Sequence, residues 1–190
     1  MARSEGEVEG AGEVERAEGV TPTASAEEKG MAEEALVRKT SRVLLIDATG
    51  RTLLFRSLSE TTGESFWYPP GGGVEGGEDY EEAARREIFE ETGIAELVNL
   101  TTFGSRRSSF IFNKVPTIFE EIWFYATVPT QDIDVTGFTE FEKSNVIESK
   151  WWTLEEMLKG VGRLVPTNLP DLLGEYLSSG QLEGFRELPI

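Results

Sequence analysis

The chain has 190 residues, of which 35 are acidic and 18 basic, and its formal net charge is −17. It contains neither cysteine nor histidine, which excludes thiolate nucleophiles, imidazole acid–base catalysis and zinc sites built on these ligands. A protein that binds a nucleic-acid polymer needs a basic surface for the phosphates, so the acidic charge argues against such a partner.

Residues 1–36 differ in composition from the rest of the chain: they are mostly Glu, Gly, Ala, Ser and Thr, with no aromatic side chain. Such a segment buries too little apolar surface to offset the entropy that it loses on ordering. We therefore predict a disordered acidic tail over residues 1–36 and one folded domain over residues 37–190. No apolar stretch is long enough for a membrane span and no secretory signal is present, so we expect a cytoplasmic protein without a membrane partner.

The folded domain begins with a predicted β-hairpin. Apolar runs at residues 43–46 and 52–55 flank a turn at residues 47–50, which ends in Gly50; this pattern is typical of two strands joined by a tight turn. A polar loop then leads to two prolines and three glycines at residues 69–73. Prolines and glycines in succession end regular structure there.

One helix and then several strands are predicted after this loop. Asp79 and Glu82 have the spacing of a capping box, and Gly93 suits the left-handed residue at a helix end. Strands are predicted over residues 95–102, 108–112, 118–128 and 146–152, a short helix capped by Thr153 over residues 154–158, and a final helix over residues 170–178. Strands on both sides of one central helix indicate an α/β domain with a mixed sheet rather than a doubly wound one.

Three glutamates of the central helix, Glu87, Glu90 and Glu91, have the spacing i, i+3 and i+4. They therefore form one stripe on the helix surface. Like charges at this spacing destabilise a helix, and a hard divalent cation, which prefers oxygen ligands, would compensate for their repulsion. A solvated acidic face is the alternative that these three residues alone leave open.

The residues around these glutamates form a longer pattern. The chain reads Gly72, five residues, Glu78, seven residues, Arg86-Glu87-Ile88, one residue, Glu90-Glu91, one residue, and Gly93-Ile94. This pattern resembles the Nudix box, the loop–helix–loop signature of the Nudix (MutT-like) pyrophosphohydrolases, at every specified position. The resemblance covers about residues 38–160 and implies an α/β/α sandwich with a mixed sheet between helices.

The resemblance implies a role for each matching residue. The implied metal ligands are Glu87, Glu90, Glu91 and the carbonyl of Gly71, and the implied metal is Mg²⁺ or Mn²⁺. Arg86, together with Glu78, would hold Glu87 in orientation, as a ligating carboxylate requires. The metal would bridge two phosphates and activate a water, which implies hydrolysis of a nucleoside diphosphate linked to another group.

The general base is not identified by the motif. In this family it is often a glutamate on a loop or strand after the box, and the candidates here are Glu120, Glu121, Glu140, Glu142 and Glu148. We favour Glu148, which lies three residues before Trp151, and Glu142, which lies in the Phe-rich loop before it. Glu87 itself is the alternative, and a surface glutamate is the ordinary reading of each candidate.

Substrate contacts are predicted from residue types. An aromatic face can stack on a base, and an arginine can bind phosphate through two parallel hydrogen bonds. Trp67, beside the glycine loop, and Phe110 are therefore candidates for stacking, and Arg56 is a candidate for a phosphate contact. Further aromatic and basic candidates are Phe112, Trp123, Tyr125, Arg51, Arg106 and Arg107. A core position for each aromatic residue and a surface position for each arginine are the alternatives.

The resemblance narrows the range of predicted substrates only partly. The ADP-ribose subgroup carries a proline about sixteen residues beyond the box and the dinucleoside-polyphosphate subgroup a tyrosine near there, whereas this chain has Ser109 and Phe110. A (d)NTP or another small nucleoside diphosphate derivative is therefore the predicted substrate. A non-catalytic Nudix-fold nucleotide sensor is the alternative function, and a homodimer is left open because members of the family often form one.

Overall fold

The computed structural model describes residues 35–190, so residues 1–34 of the predicted acidic tail lie outside the described residues. Within this range the strands are β1 (Leu36–Asp47), β2 (Thr52–Leu58), β3 (Ser65–Tyr68), β4 (Val98–Phe112), β5 (Val115–Val128), β6 (Val146–Trp152), β7 (Arg163–Leu164) and β8 (Arg186–Glu187). The helices are α1 (Tyr80–Thr92), α2 (Glu140–Asn145), α3 (Leu154–Leu158) and α4 (Leu169–Ser179), with a 3-10 turn over Val135–Gly137.

The strands form one mixed sheet in the order β7-β3-β2-β1-β5-β4-β8. Strand β6 falls outside this order and pairs with β2. Strands β1 and β5 run parallel, whereas β4 with β5 and β2 with β6 are antiparallel. Because side chains alternate between the two faces of a strand, the consecutive apolar residues 43–46 supply a core on each face of the sheet.

The two cores are separate and each is covered by helices. Val43 and Leu45 face α1, where they pack with Ile88. Leu44 and Ile46 face the opposite way and belong to the cluster that contains the buried leucines of α4. Burying a leucine or isoleucine side chain contributes about 1.5–3 kcal/mol, so both layers contribute to the stability of the domain. The layers are helix, sheet and helix, which agrees with the predicted α/β/α sandwich.

Two predicted strands differ from those observed. β1 begins at Leu36 rather than at residue 43, because its polar first half pairs with β5 from Leu36 opposite Thr117 onward. β4 is one strand of 15 residues rather than two, because the intervening residues also pair with β5, with irregular register near Gly104. Long-range pairing thus extends both strands through segments that lack an apolar pattern.

The predicted helix ends are present. The side chain of Asp79 accepts hydrogen bonds from the backbone amides of Glu81 and Glu82, and the side chain of Glu82 accepts one from the backbone amide of Asp79. Gly93 ends α1 with φ 71°. The predicted short helix matches α3, with Thr153 as its cap. The six-residue helix α2 was not predicted from the sequence, and it forms on a second capping box between Thr139 and Glu142.

The glycine loop after β3 lies along β1. The amide of Ser41 donates to the carbonyl of Gly72 at 2.9 Å, and that of Val43 donates to the carbonyl of Pro70 at 3.0 Å. These hydrogen bonds hold the loop against the middle of β1. The amide of Gly71 also donates to Glu91, so the loop lies beside the acidic stripe of α1.

Candidate active site

The glycine loop is in close contact with its surroundings at two positions. Gly71 has φ 126°, and a Cβ there would lie 2.2 Å from the carbonyl oxygen of Ser41. A Cβ at Gly72 would lie 2.5 Å from the carboxyl carbon and both oxygens of Glu87. Both contacts are shorter than van der Waals distance, so only glycine lets the backbone approach β1 and the carboxylate this closely.

Arg86 joins the loop to the carboxylates of α1. Its guanidinium donates to Glu78 at 2.6 and 3.1 Å, to the carbonyl of Gly73 at 2.8 Å, and to Glu87 and Glu90 at 3.0 Å each. Glu78 raises the pKa of Arg86, and the hydrogen bonds from Arg86 lower the pKa of Glu78. The structure thus brings together four of the five charged residues to which the resemblance assigns a role.

Glu87 and Glu91 are buried, at 8% and 4% exposure. Each can place one carboxylate oxygen within 4.8 Å of the other and of Glu142, which comes from α2. Burial raises the pKa of Glu87, against the opposing effect of Arg86, and raises that of Glu91 well above its ordinary value, against the opposing effect of Arg42. Close, buried carboxylates of this kind are the oxygen ligands that a hard divalent cation prefers.

Glu90 and Gly71 hold different positions from those carboxylates. The side chain of Glu90 is half exposed and is bound to Arg86, yet Glu90 lines a cavity of about 750 Å³ together with Glu87 and Glu142. The carbonyl of Gly71 accepts a hydrogen bond from Nη1 of Arg42, and the amide of Gly71 donates to Glu91 at 2.7 Å. The predicted metal-binding roles of both residues stay predictions.

A second cavity, of about 290 Å³, lies beside the first, on the sheet face opposite to α1. Its floor comes from alternate residues of three neighbouring strands: Arg38, Thr40 and Arg42 of β1, Phe119, Glu121 and Trp123 of β5, and Arg106, Ser108 and Phe110 of β4. Arg38, Gly72, Gly73, Phe112, Phe141 and Glu142 line both cavities. The two cavities are therefore adjacent compartments that meet at the glycine loop.

The floor of the smaller cavity contains buried polar groups. Oε2 of Glu121 accepts hydrogen bonds from Arg106 at 3.0 Å and from the indole nitrogen of Trp123 at 3.2 Å. The buried hydroxyls of Thr40 and Ser108 have no hydrogen-bond partner within residues 35–190. Such groups are normally satisfied in native proteins, and these two hydroxyls lie beneath the cavity floor with almost no accessible surface.

The predicted substrate contacts are divided between cavity and core. Phe110 lines the smaller cavity and stacks on Phe119 with ring centroids 4.3 Å apart. Trp67 lies in the core at 5% exposure, edge-on to Trp152. Arg56 lies over the ring of Trp67 and pairs with Glu148 at 2.9 Å. The structure therefore places Trp67 and Arg56 away from the walls of both cavities.

The structure places the two favoured candidates for the general base in different surroundings. Glu142 belongs to the carboxylate cluster with Glu87 and Glu91. Glu148 is an exposed residue of β6, opposite Arg56 in the strand register. The remaining candidate residues occupy structural positions: Tyr125 lies in the core, Arg51 binds Asp47 in the hairpin turn, Arg107 pairs with Glu120 on the surface, and Glu140 binds Lys143.

Two arginines of the site were not predicted from the sequence. Arg38 lines both cavities and Arg42 lines the smaller one. The signal was present in the alternation of Arg38, Thr40 and Arg42, which places polar side chains on one face of a strand. It was missed because the predicted strand began only at residue 43.

A family model described as NUDIX domain matches residues 36–170 of the chain. The chain belongs to the Nudix hydrolase family. A relative named RNA pyrophosphohydrolase, from Novosphingobium aromaticivorans, is 33% identical over 82 residues, which cover 43% of this chain and 49% of the relative. This Nudix chain therefore matches about half the length of that relative.

Solved structures share the Nudix fold of this chain. The MutT protein from Methanosarcina mazei Go1 has a TM-score of 0.51 at 24% identity, covering 78% of this chain and 98% of its own. A C. elegans Ap4A hydrolase has a TM-score of 0.50 at 21% identity, covering 74% and 98%. At these identities the likeness concerns the fold alone. The predicted family and α/β/α fold are confirmed.

Among residues 35–190, no helix combines the length and the apolar character that a membrane span requires. The predicted cytoplasmic location and the homodimer stay predictions.

Proposed function

We propose that this Nudix protein is a metal-dependent pyrophosphohydrolase that cleaves a nucleoside diphosphate linked to another group. The observation that carries the proposal is the carboxylate cluster of Glu87, Glu91 and Glu142, whose oxygens approach within 4.8 Å beside the glycine loop. Two of these residues are buried, and their mutual repulsion in a poorly solvated place is unfavourable without a compensating cation.

The chain offers a suitable donor set for Mg²⁺ or Mn²⁺. Glu87 and Glu91 would hold the ion, with Glu90 and the Gly71 carbonyl as further oxygen donors. When bound, such an ion neutralises phosphate charge and lowers the pKa of a water. The lack of a Cβ at Gly72 lets the glycine loop approach the Glu87 carboxylate closely.

Glu142 is the proposed general base. Its Oε2 accepts hydrogen bonds from the amide and hydroxyl of Thr139 at 2.7 and 2.8 Å, which hold the carboxylate in place. Its Oε1 is left to accept the proton of the water that attacks phosphorus. Glu148 is not proposed for this role because it pairs with Arg56 on the surface.

The two adjacent cavities suggest how the substrate lies. The phosphates would occupy the larger cavity, where Arg38 and Arg86 add positive charge to the wall. The nucleoside would enter the smaller cavity, where the partly exposed ring of Phe110 offers an aromatic face. Stacking of a ring on such a face is a usual basis of ring recognition.

The substrate that we propose is a (d)NTP or another small nucleoside diphosphate derivative. A 5′-triphosphate RNA end is the second candidate, because the relative that is 33% identical over 82 residues is named RNA pyrophosphohydrolase. The net charge of −17 favours the small substrate, since a polyanion would meet repulsion beyond its first phosphates.

The test is release of phosphate or pyrophosphate from a panel of NTPs, dNTPs, ADP-ribose, dinucleoside polyphosphates, nucleotide sugars and a 5′-triphosphate RNA, with Mg²⁺ or Mn²⁺. Glu91→Gln should abolish turnover, whereas Glu81→Gln, at an exposed position of α1 paired with Arg85, should retain it. Metal-dependent turnover lost only in Glu91→Gln supports the proposal. Nucleotide binding without turnover of any compound would instead favour a non-catalytic sensor.

A further inference from the structure

Arg42 lies between the glycine loop and the floor of the smaller cavity. Its Nη1 donates to the carbonyl of Gly71 and, at 3.4 Å, to that of Pro69. Its Nε lies 3.7 Å from Oε1 of Glu121. One guanidinium therefore contacts both the proposed metal-binding loop and the buried carboxylate under the proposed ring site.

The contact with Gly71 conflicts with metal binding at the same carbonyl. A guanidinium and a divalent cation on one oxygen would repel each other strongly at short range. The guanidinium of Arg42 donates to the loop carbonyl that the proposed cation would use, so the two cannot share this oxygen.

Glu121 offers a second position for the same guanidinium. Its Oε2 is taken by Arg106 and Trp123, whereas Oε1 has no hydrogen-bond donor among the described residues. A side chain already 3.7 Å away needs only a small rotation to donate to that oxygen. A charge-assisted hydrogen bond there would replace the one lost at Gly71.

We propose that Arg42 exchanges between the Gly71 carbonyl and Glu121, and thereby couples metal binding to the charge on the floor of the smaller cavity. Without metal, Arg42 holds the loop carbonyl; when the cation takes that carbonyl, Arg42 moves to Glu121 and neutralises it. Coupling of this kind is reciprocal, so occupation of the cavity near Glu121 alters metal affinity. Arg42 is a positioning residue, and the inference rests on the metal site of the proposed function.

The test measures Mn²⁺ binding to the full chain by electron paramagnetic resonance, with no nucleotide present. Arg42→Gln should bind Mn²⁺ more tightly, by about 5-fold or more, because no guanidinium competes for the carbonyl. Arg38→Gln is the matched control: it removes the same charge from the same face of β1 and from the cavity walls. Equal tightening in both variants would show a general charge effect and overturn the exchange.

Glu121→Gln tests the other position. It keeps an oxygen acceptor for Arg106 and Trp123 but weakens the alternative site for Arg42, so Mn²⁺ binding should weaken several-fold. In the Arg42→Gln background, Glu121→Gln should leave the Mn²⁺ affinity unchanged, because no guanidinium remains to move. The double variant thus isolates the coupling between residues 42 and 121. An undiminished effect of Glu121→Gln in that background would overturn the inference.

Thermal unfolding of every variant checks that it is folded. If Arg42→Gln fails to fold, Glu121→Gln alone decides, since unchanged Mn²⁺ affinity in that variant contradicts the inference. Failure of the unmodified chain to bind Mn²⁺ would overturn the metal site itself, and the inference with it. If the unmodified chain binds Mn²⁺ but Arg42→Gln and Arg38→Gln bind it with the same affinity, the metal site stands and only the proposed exchange of Arg42 is overturned.

Discussion

The amide of Gly71 donates a hydrogen bond of 2.7 Å to the carboxylate of Glu91, so the glycine loop and helix α1 are joined at the centre of the site. Glu91 is 4% exposed, and this single backbone donor only partly compensates for the loss of water around the carboxylate. The relationship predicts that the site is strained electrostatically until a cation is bound.

The stability of the metal-free chain should therefore depend on pH in an unusual direction. Burial raises the pKa of Glu87 and Glu91 above the ordinary value of 4.5, so the folded chain holds protons that the unfolded chain has released. The free energy of unfolding must then fall as pH rises from 4.5 through the raised values. Urea unfolding with a chelator, between about pH 5 and pH 8, measures this slope.

Glu91→Gln should flatten that slope, and Glu81→Gln should not. The lowered pKa values of about 2 at Glu156, from hydrogen bonds at Thr153, and at Glu175, from Arg186, do not interfere. Their contributions to stability are complete above 4.5 and are lost only as pH falls below it. A slope that is the same in Glu91→Gln as in the unmodified chain would contradict the prediction.

Gly72→Ala should reduce turnover by displacing Glu87. The new Cβ would meet the carboxyl group at 2.5 Å, and overpacking of this kind costs about 1–3 kcal/mol. Thermal unfolding measures the loss of stability, and kcat measures the loss of turnover. Gly76→Ala is the control because no atom lies within 4 Å of its Cβ; a comparable loss in both variants would show that loop flexibility, and not the Glu87 contact, is responsible.

Arg86→Lys should lower kcat by about 10- to 100-fold, as is typical when the partner that orients a metal ligand is lost. Lysine retains the charge but cannot reproduce the planar set of hydrogen bonds to Glu78, Glu87 and the Gly73 carbonyl. Arg85→Lys, at the exposed neighbour that pairs with Glu81, should leave kcat unchanged. Steady-state kinetics at a fixed Mg²⁺ concentration measures kcat for both variants. Full activity of Arg86→Lys would refute the role of Arg86 in positioning Glu87.

Glu142→Gln should lower kcat by about 10²- to 10⁴-fold, the range expected for loss of a general base. The capping hydrogen bonds to Thr139 can be retained by the glutamine oxygen, so the fold of α2 should persist. Glu148→Gln serves as the comparison, because its side chain pairs with Arg56 and is exposed. A larger loss in Glu148→Gln than in Glu142→Gln would reverse the assignment of the base.

The motif helix and its acidic stripe were predictable from local sequence patterns. The capping box of Asp79 and Glu82, the end at Gly93 and the acidic stripe all depend on residues within a few positions of one another. Helix geometry converts such local spacing directly into position on one surface. The same locality explains why α3, with its cap at Thr153, was predicted with its observed bounds.

The distant residues that lie beside that helix were not predictable in this way, because long-range packing places them. Glu142 and not Glu148 lies beside Glu87, Trp67 lies in the core, and Arg42 spans the loop and Glu121. Trp67 takes its position through the pairing of β3 with β2 and β7. The contact of Arg42 with Glu121 depends on the parallel pairing of β1 with β5, whose partners lie about eighty residues apart in the chain. Pairing over that distance sets which face each side chain takes, and no pattern within a single segment records it.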